Sequence, residues 1–230
     1  MKRFFWVAVA VSISNLYALP AFAATLTGRI QAAETVAEPE PLSVAVDGWA
    51  CAPQGKVGDP RLRIGSARGL ADVVVRLEGV SGAPPYRSAG PVVLDQKACA
   101  FVPHVVVVAP GQELLVKNSD PVLHNFHTFT QRNRTINRAQ IKGKQDAFRF
   151  EMPEIIRVEC DVHYWMSAVV VVADDAFTAV TGEDGTFSFD DVPAGEYPIE
   201  LWHQQLGTQS GKVRVGEDGG VFALVWEPES

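Results

Sequence analysis

Within seven residues, in the stretch CDVHYWM, the chain places a thiol, an imidazole and a thioether: Cys160, His163 and Met166. Thiolate and imidazole donors with a weak axial thioether are acceptable to both Cu(I) and Cu(II), so this trio suits an ion that shuttles one electron. A seven-residue loop cannot surround an ion, and a further donor has to come from elsewhere. Taken singly, each residue has a plainer use: a buried cysteine is a small hydrophobe, and a methionine ahead of a valine run belongs in a core. Zinc accepts cysteine and histidine, but a thioether is a poor zinc ligand and a catalytic zinc site more naturally recruits a carboxylate. A binuclear copper centre would need a second cysteine in the loop, and none is there. A thiol nucleophile would need a base oriented by a third group, whereas Cys160 and His163 share a short loop in which both converge more readily on one ion. No G-x-S-x-G, no H-E-x-x-H and no phosphate-cradling glycine loop occurs, which leaves no catalytic signature to compete.

The elements that must position these residues read as strands. Short β-branched runs at 71–77, 91–94, 104–109, 113–117, 155–159 and 167–172 are bounded by Gly, Pro, Asn and Asp, the pattern of an all-β sandwich. Unbroken valines from Val105 to Val108 predict a strand covered on both faces. Counted back from the turn at Gly111, His104 shares parity with Val106 and Val108, so it points inward towards the end of the sheet where His124 lies. A supporting or structural histidine is the expected role there, with ligation in place of Met166, or beside it, as the alternative. His127 is expected only nearby, and His203 has no partner that the sequence names.

Phe101-x-Pro103-x-x-Val106-x-Val108-x-x-Gly111-x-x-Leu114-x-Val116-x-Asn118, followed by Ser119-Asp120-Pro121-Val122-Leu123-His124-Asn125, resembles the plastocyanin and azurin family of cupredoxins. The C-x2-H-x2-M loop has the length of amicyanin-like members, and the resemblance spans residues 95–172. It implies a Greek-key β-sandwich holding one copper ion, with His124, Cys160 and His163 as equatorial ligands and Met166 axial. It also implies that Asn125 ties the His124 strand to the cysteine loop. Prolines beside the ligands in amicyanin-like loops are replaced here by Val162, Tyr164 and Trp165.

At the start, Lys2 and Arg3 precede an apolar run and Ala21-Phe22-Ala23, the layout of a signal peptide cleaved after Ala23. Removing Lys2 and Arg3 takes the net charge from −7 to −9, and an acidic exported chain is a poor nucleic-acid binder. The basic groups Arg132, Arg134, Arg138, Lys142, Lys144 and Arg149 gather in one stretch with Asp146 as the only acid among them. Lying between His124 and Cys160, that stretch could flank the copper end and steer an acidic partner. Three cysteines in an oxidising compartment allow three pairings by count. With Cys160 taken as a ligand, as the resemblance implies, Cys51 and Cys99 are the expected disulfide.

Beyond Ala173-Asp174-Asp175 the composition changes. T-x-x-D-G-x-F-x-F-x-x-V-P-x-G-x-Y-x-I-x-L-W-H, through Asp184, Gly185, Phe187, Phe189, Val192, Pro193, Gly195 and Tyr197, resembles the carboxypeptidase regulatory-like, transthyretin-like β-sandwich, a non-catalytic module. The expected organisation is a signal peptide over 1–23, a cupredoxin-like unit with a loop-rich N-terminal extension over 24–173, and a small β-sandwich unit over 174–230. A strand from Gly69–Gly79 is a candidate to complete the last unit. Together these readings anticipate a periplasmic or secreted monomer, not inserted in a membrane, that passes single electrons between redox proteins of the periplasm without being an enzyme. The alternatives are a copper-holding or delivery protein with no redox partner, and a structural or interaction module whose metal site is vestigial.

Overall fold

The computed structural model describes residues 23–227. The signal peptide expected over 1–23 lies outside them except for Ala23. Among the described residues no helix is long and apolar enough to cross a membrane.

In chain order the strands are β1 (Ala23–Ala32), β2 (Leu42–Ser43), β3 (Lys56–Val57), β4 (Val74–Leu77), β5 (Val92–Lys97), β6 (Ala100–Val102), β7 (Val105–Val108), β8 (Glu113–Asn118) and β9 (His124–Phe129). There follow β10 (Asn137–Gln140), β11 (Gln145–Arg149), β12 (Glu154–Glu159), β13 (Ser167–Val172), β14 (Thr178–Val180), β15 (Thr186–Pro193), β16 (Gly195–His203), β17 (Gly207–Val215) and β18 (Gly220–Trp226). A single helical turn, α1 (Gly48–Cys51), sits between β2 and β3. The molecule is all-β, as the β-branched runs predict.

Two sandwiches result. In the first, the sheet β10-β9-β12-β13-β7 faces the sheet β11-β8-β5-β6, around a core that includes Leu94, Leu114, Val116, Phe126, Phe150, Ile156 and Val158. In the second, β15-β1-β18 faces β14-β4-β16-β17, around Leu26, Ile30, Val75, Phe187, Phe189, Leu201 and Trp226. This second core follows from period-2 patterning: in β15, Phe187, Phe189 and Val192 turn inward while their neighbours face out.

The strands do not respect a division at residue 174. β1 lies between β15 and β18 and β4 between β14 and β16, so two strands from the expected N-terminal unit are built into the C-terminal one. The physical reason is size: a piece of about 57 residues cannot form two sheets and cover both inner faces by itself. β1 adds Leu26 and Ile30, both fully buried, and β4 adds Val75.

The valine runs explain how the sandwiches join. In β7 and β13, Val106, Val108, Val170 and Val172 face the first core. Val105, Val169 and Val171, with Val107 at the edge, instead pack on Val74, Val180 and Trp202 of the second unit. Both faces are covered, as their continuity predicts. Each additional buried valine face contributes roughly 1.5–3 kcal/mol per side chain relative to exposure, so the two units form one packed body.

Candidate metal centre

His124 opens β9, and the loop 160–166 joins β12 to β13. That loop is closed by its own backbone: Met166 N–H donates to His163 O (2.8 Å) and Cys160 N–H to Met166 O (3.2 Å). The closure turns Cys160 and His163 to one side and brings Sγ within 3.7 Å of His163 Nδ1. Because β9 pairs with β12 in the same sheet, His124 enters beside the loop, with Nδ1 4.0 Å from Cys160 Sγ and 2.9 Å from His163 Nδ1. Both imidazoles are fully buried and Cys160 is 2% exposed.

Each histidine has its other nitrogen on a carboxylate. His124 Nε2 donates to Asp120 Oδ2 (2.9 Å), and His163 Nε2 to Asp47 Oδ2 (3.2 Å). An ionised carboxylate only accepts, so each ring carries a proton on Nε2 and turns its Nδ1 towards the sulfur. At 2.9 Å the two Nδ1 atoms share either a proton, in an ordinary ring–ring hydrogen bond, or a metal cation. The spacings are within reach of one ion, since two metal–nitrogen bonds span at most about 4 Å and a nitrogen–sulfur pair about 4.3 Å. The donor set therefore fits a metal. Met166 is buried in the same core cluster as Cys160, directly across the closed loop.

Electrostatics point the same way. Burial pushes the Cys160 thiol above its ordinary range, and burial, opposed by Asp120, pulls His124 below the usual histidine range. In the absence of a cation the site holds a neutral thiol and a neutral imidazole. Binding a metal converts the thiol to thiolate and releases its proton.

Several polar groups around the site are tied by hydrogen bonds. Asp120 also accepts from the backbone N–H groups of Ala98 (2.7 Å) and Cys99 (2.8 Å), while Asn118 Oδ1 accepts from Asp120 N–H (2.8 Å). Asn125 joins β9 to the cysteine loop in both directions, accepting from Asp161 N–H (2.7 Å) and donating to Asp161 Oδ2 (2.8 Å). His127 donates to Asp161 Oδ1 (2.9 Å) at the surface, the largest cause of that carboxyl's lowered pKa. Trp165 stacks obliquely near His163 with ring centroids 5.0 Å apart and donates Nε1–H to Cys99 O (3.1 Å). Cys99 is bonded to Cys51 (S–S 2.03 Å), and Cys160 is free.

His104 does not join the cluster. It is buried, but its Nε2 donates to Gln204 Oε1 (2.8 Å) at the turn between β16 and β17, and its role is to tie the two sandwiches together. Parity with Val106 and Val108 points it into the first core towards His124; the structure turns it to the opposite side, where Gln204 of the second unit is its partner, because His104 precedes β7 and does not follow that strand's alternation.

Asp47 and Asp120 are what the sequence reading missed. For Asp120 a signal existed: an acidic residue four positions before His124 in a Ser-Asp-Pro turn. For Asp47 there was none, because 116 residues separate it from His163.

No protein-family description matches this chain and no curated protein matches it. Among solved structures, a mutant of amicyanin with Cu(I) is 17% identical, aligning over 43% of this chain and 97% of its own, with a TM-score of 0.34. A purple cupredoxin from Nitrosopumilus maritimus is 19% identical over 35% of this chain and 98% of its own, with a TM-score of 0.31. A copper-containing nitrite reductase from Thermus scotoductus SA-01 is 17% identical over 39% of this chain, with a TM-score of 0.34. This chain spans 25% of that reductase.

Proposed function

We propose that the chain is an exported cupredoxin-type protein that holds one copper ion and passes single electrons between periplasmic redox partners. The observation that carries this reading is the convergence of two Nδ1 atoms and one buried sulfur, with both Nε2 protons held by carboxylates. When bound, copper supplies a one-electron Cu(I)/Cu(II) couple that thiolate and imidazole donors support in both states.

The residues of the chain supply the rest. His124 and His163 would hold the ion through Nδ1 and Cys160 through Sγ, and Met166 across the loop would be the candidate for a further, weaker donor. Asn125 and Asp161 lock the cysteine loop to β9. Burial of all three donors excludes water and keeps their separations fixed, which favours electron transfer with little rearrangement. The reading is of a carrier, not an enzyme.

Partner choice is assigned to charge. Arg138 of β10 and the turn before β11 lie beside the site because Gln140 pairs with His124 in register. Asp146 draws in Arg138 (3.1 Å) and Lys144 (3.6 Å), leaving the stretch net positive on an otherwise acidic protein. An acidic redox protein fits that edge. The second sandwich acts as a cover for the β7–β13 face, and the reading is of a monomer.

Voltammetry of the copper-loaded chain tests the function. A reversible one-electron wave is expected. Tight copper binding without any wave would contradict electron transfer and point instead to a copper-holding or delivery protein.

A further inference from the structure

Residues 42–57 form a strap across the metal end of the first sandwich. β2 and β3 pair at its base, and α1 lies between them. Leu42, Val44, Ala50 and Val57 pack on the first core, Tyr164 Oη–H donates to Ser43 O (2.6 Å), and the Cys51–Cys99 disulfide pins the far side. Beneath it His163 has no exposed surface.

Asp47 is the strap residue whose carboxylate reaches the site. It occupies the N-cap position of α1, where an aspartate would ordinarily accept a hydrogen bond from its own helix, yet it makes no such bond. Its backbone is left-handed, with φ 52° and ψ 29°, a conformation that Asp tolerates better than most residues. The carboxylate instead reaches His163 Nε2 at 3.2 Å. The contact is made by the chain's fold, through a segment held in place by a covalent bond, and the helix gains nothing from it.

We propose that Asp47 is a positioning residue for the metal site: it fixes the Nε2–H tautomer of His163, so that Nδ1 is the donor, and it lowers the reduction potential of the bound ion. The proposal rests on the copper reading above. Carboxylate partners of ligating histidines raise ligand basicity, and a nearby negative charge favours the more highly charged oxidation state. Replacing solvent at this ring edge by a carboxylate therefore favours Cu(II).

The test uses the full chain with two substitutions. Asp47→Asn keeps an oxygen acceptor and a residue that tolerates left-handed backbone while removing the charge; Asp47→Gly suits the backbone and removes the acceptor altogether. On metal-free protein, nitrogen–proton NMR should show a protected His163 Nε2–H signal in the parent and in Asp47→Asn, and its loss in Asp47→Gly. On copper-loaded protein, both variants should bind Cu(II) more weakly, by about 10–100-fold in Asp47→Gly. The potential should rise by ~59 mV for each tenfold loss of preference for the oxidised ion. An unmoved potential in Asp47→Gly, with copper bound normally, overturns the proposal and leaves the function standing. Failure of the parent chain to bind copper overturns both.

Discussion

Asp47 and Asp120 reach the same kind of atom from opposite ends of the chain's folding problem. Asp120 is local, four residues from His124 and anchored by two backbone N–H groups; Asp47 arrives through the strap. Each holds a proton on Nε2, and the two rings together turn both Nδ1 atoms towards the sulfur. A third histidine shows the opposite use of burial. His203, 1% exposed, accepts N–H bonds at Nδ1 from Gln205 (3.3 Å) and Leu206 (3.2 Å), and burial lowers its pKa from 6.5 to about 4. In the unfolded chain His203 protonates near pH 6.5 while in the fold it stays neutral. Its contribution is thus fully present above pH 6.5 and is lost as pH falls towards 4, by up to about 3 kcal/mol. Urea unfolding of the metal-free protein at pH 7 and at pH 4.5 measures this slope. His203→Asn, which keeps an acceptor near the Nδ1 position, should flatten it; an unchanged slope would assign the pH dependence to other groups.

At the scale of elements, the strap is held by one covalent bond, a few apolar contacts and the hydrogen bonds from Tyr164 and His163. The disulfide closes a loop with a sequence separation of 48, and its removal in a Cys51→Ala/Cys99→Ala double variant should cost about 4 kcal/mol in the chain-entropy model. The strap should then become the first site of limited proteolysis, within residues 42–57, while the two sandwiches remain intact. Cleavage rates equal to the parent's would mean that Leu42, Val44, Ala50 and Val57 suffice to seat it. The strands legible from sequence are those that carry their own local pattern: the β-branched runs that became β4, β5, β7, β8, β12 and β13, and the alternation of β15 and β16. β1 was not legible, because its neighbours β15 and β18 come from the far end of the chain and it follows an apolar stretch of sequence that masks its own alternation. β9 was hidden as well, since His124, Asn125 and Phe126 are buried in succession and break the alternation that marks a strand. The metal loop was the most legible part, as three donors in seven residues need no tertiary structure to be noticed. Their carboxylate partners were not, because an aspartate's contact across the fold leaves no spacing to read.

For the whole molecule, the second sandwich takes β1 and β4 from the N-terminal part and the two sandwiches share valines in space, so the segment after residue 174 is not a complete unit. His104 and Gln204 mark the joint with a buried hydrogen bond, and Val105, Val169 and Val171 fill it. The consequence for function is rigidity: the sheet that carries His124 and the cysteine loop is backed by a second sandwich, and the open edge of the ligand cluster is closed by the strap. Everything in this account depends on one ion being held jointly by His124, Cys160 and His163. X-ray absorption at the copper edge, on the full chain loaded with one equivalent of copper, reads that directly. Two imidazole nitrogens and one short thiolate sulfur are expected, with the sulfur lost in Cys160→Ser. A copper environment of nitrogen and oxygen alone in the parent protein would contradict that joint ligation.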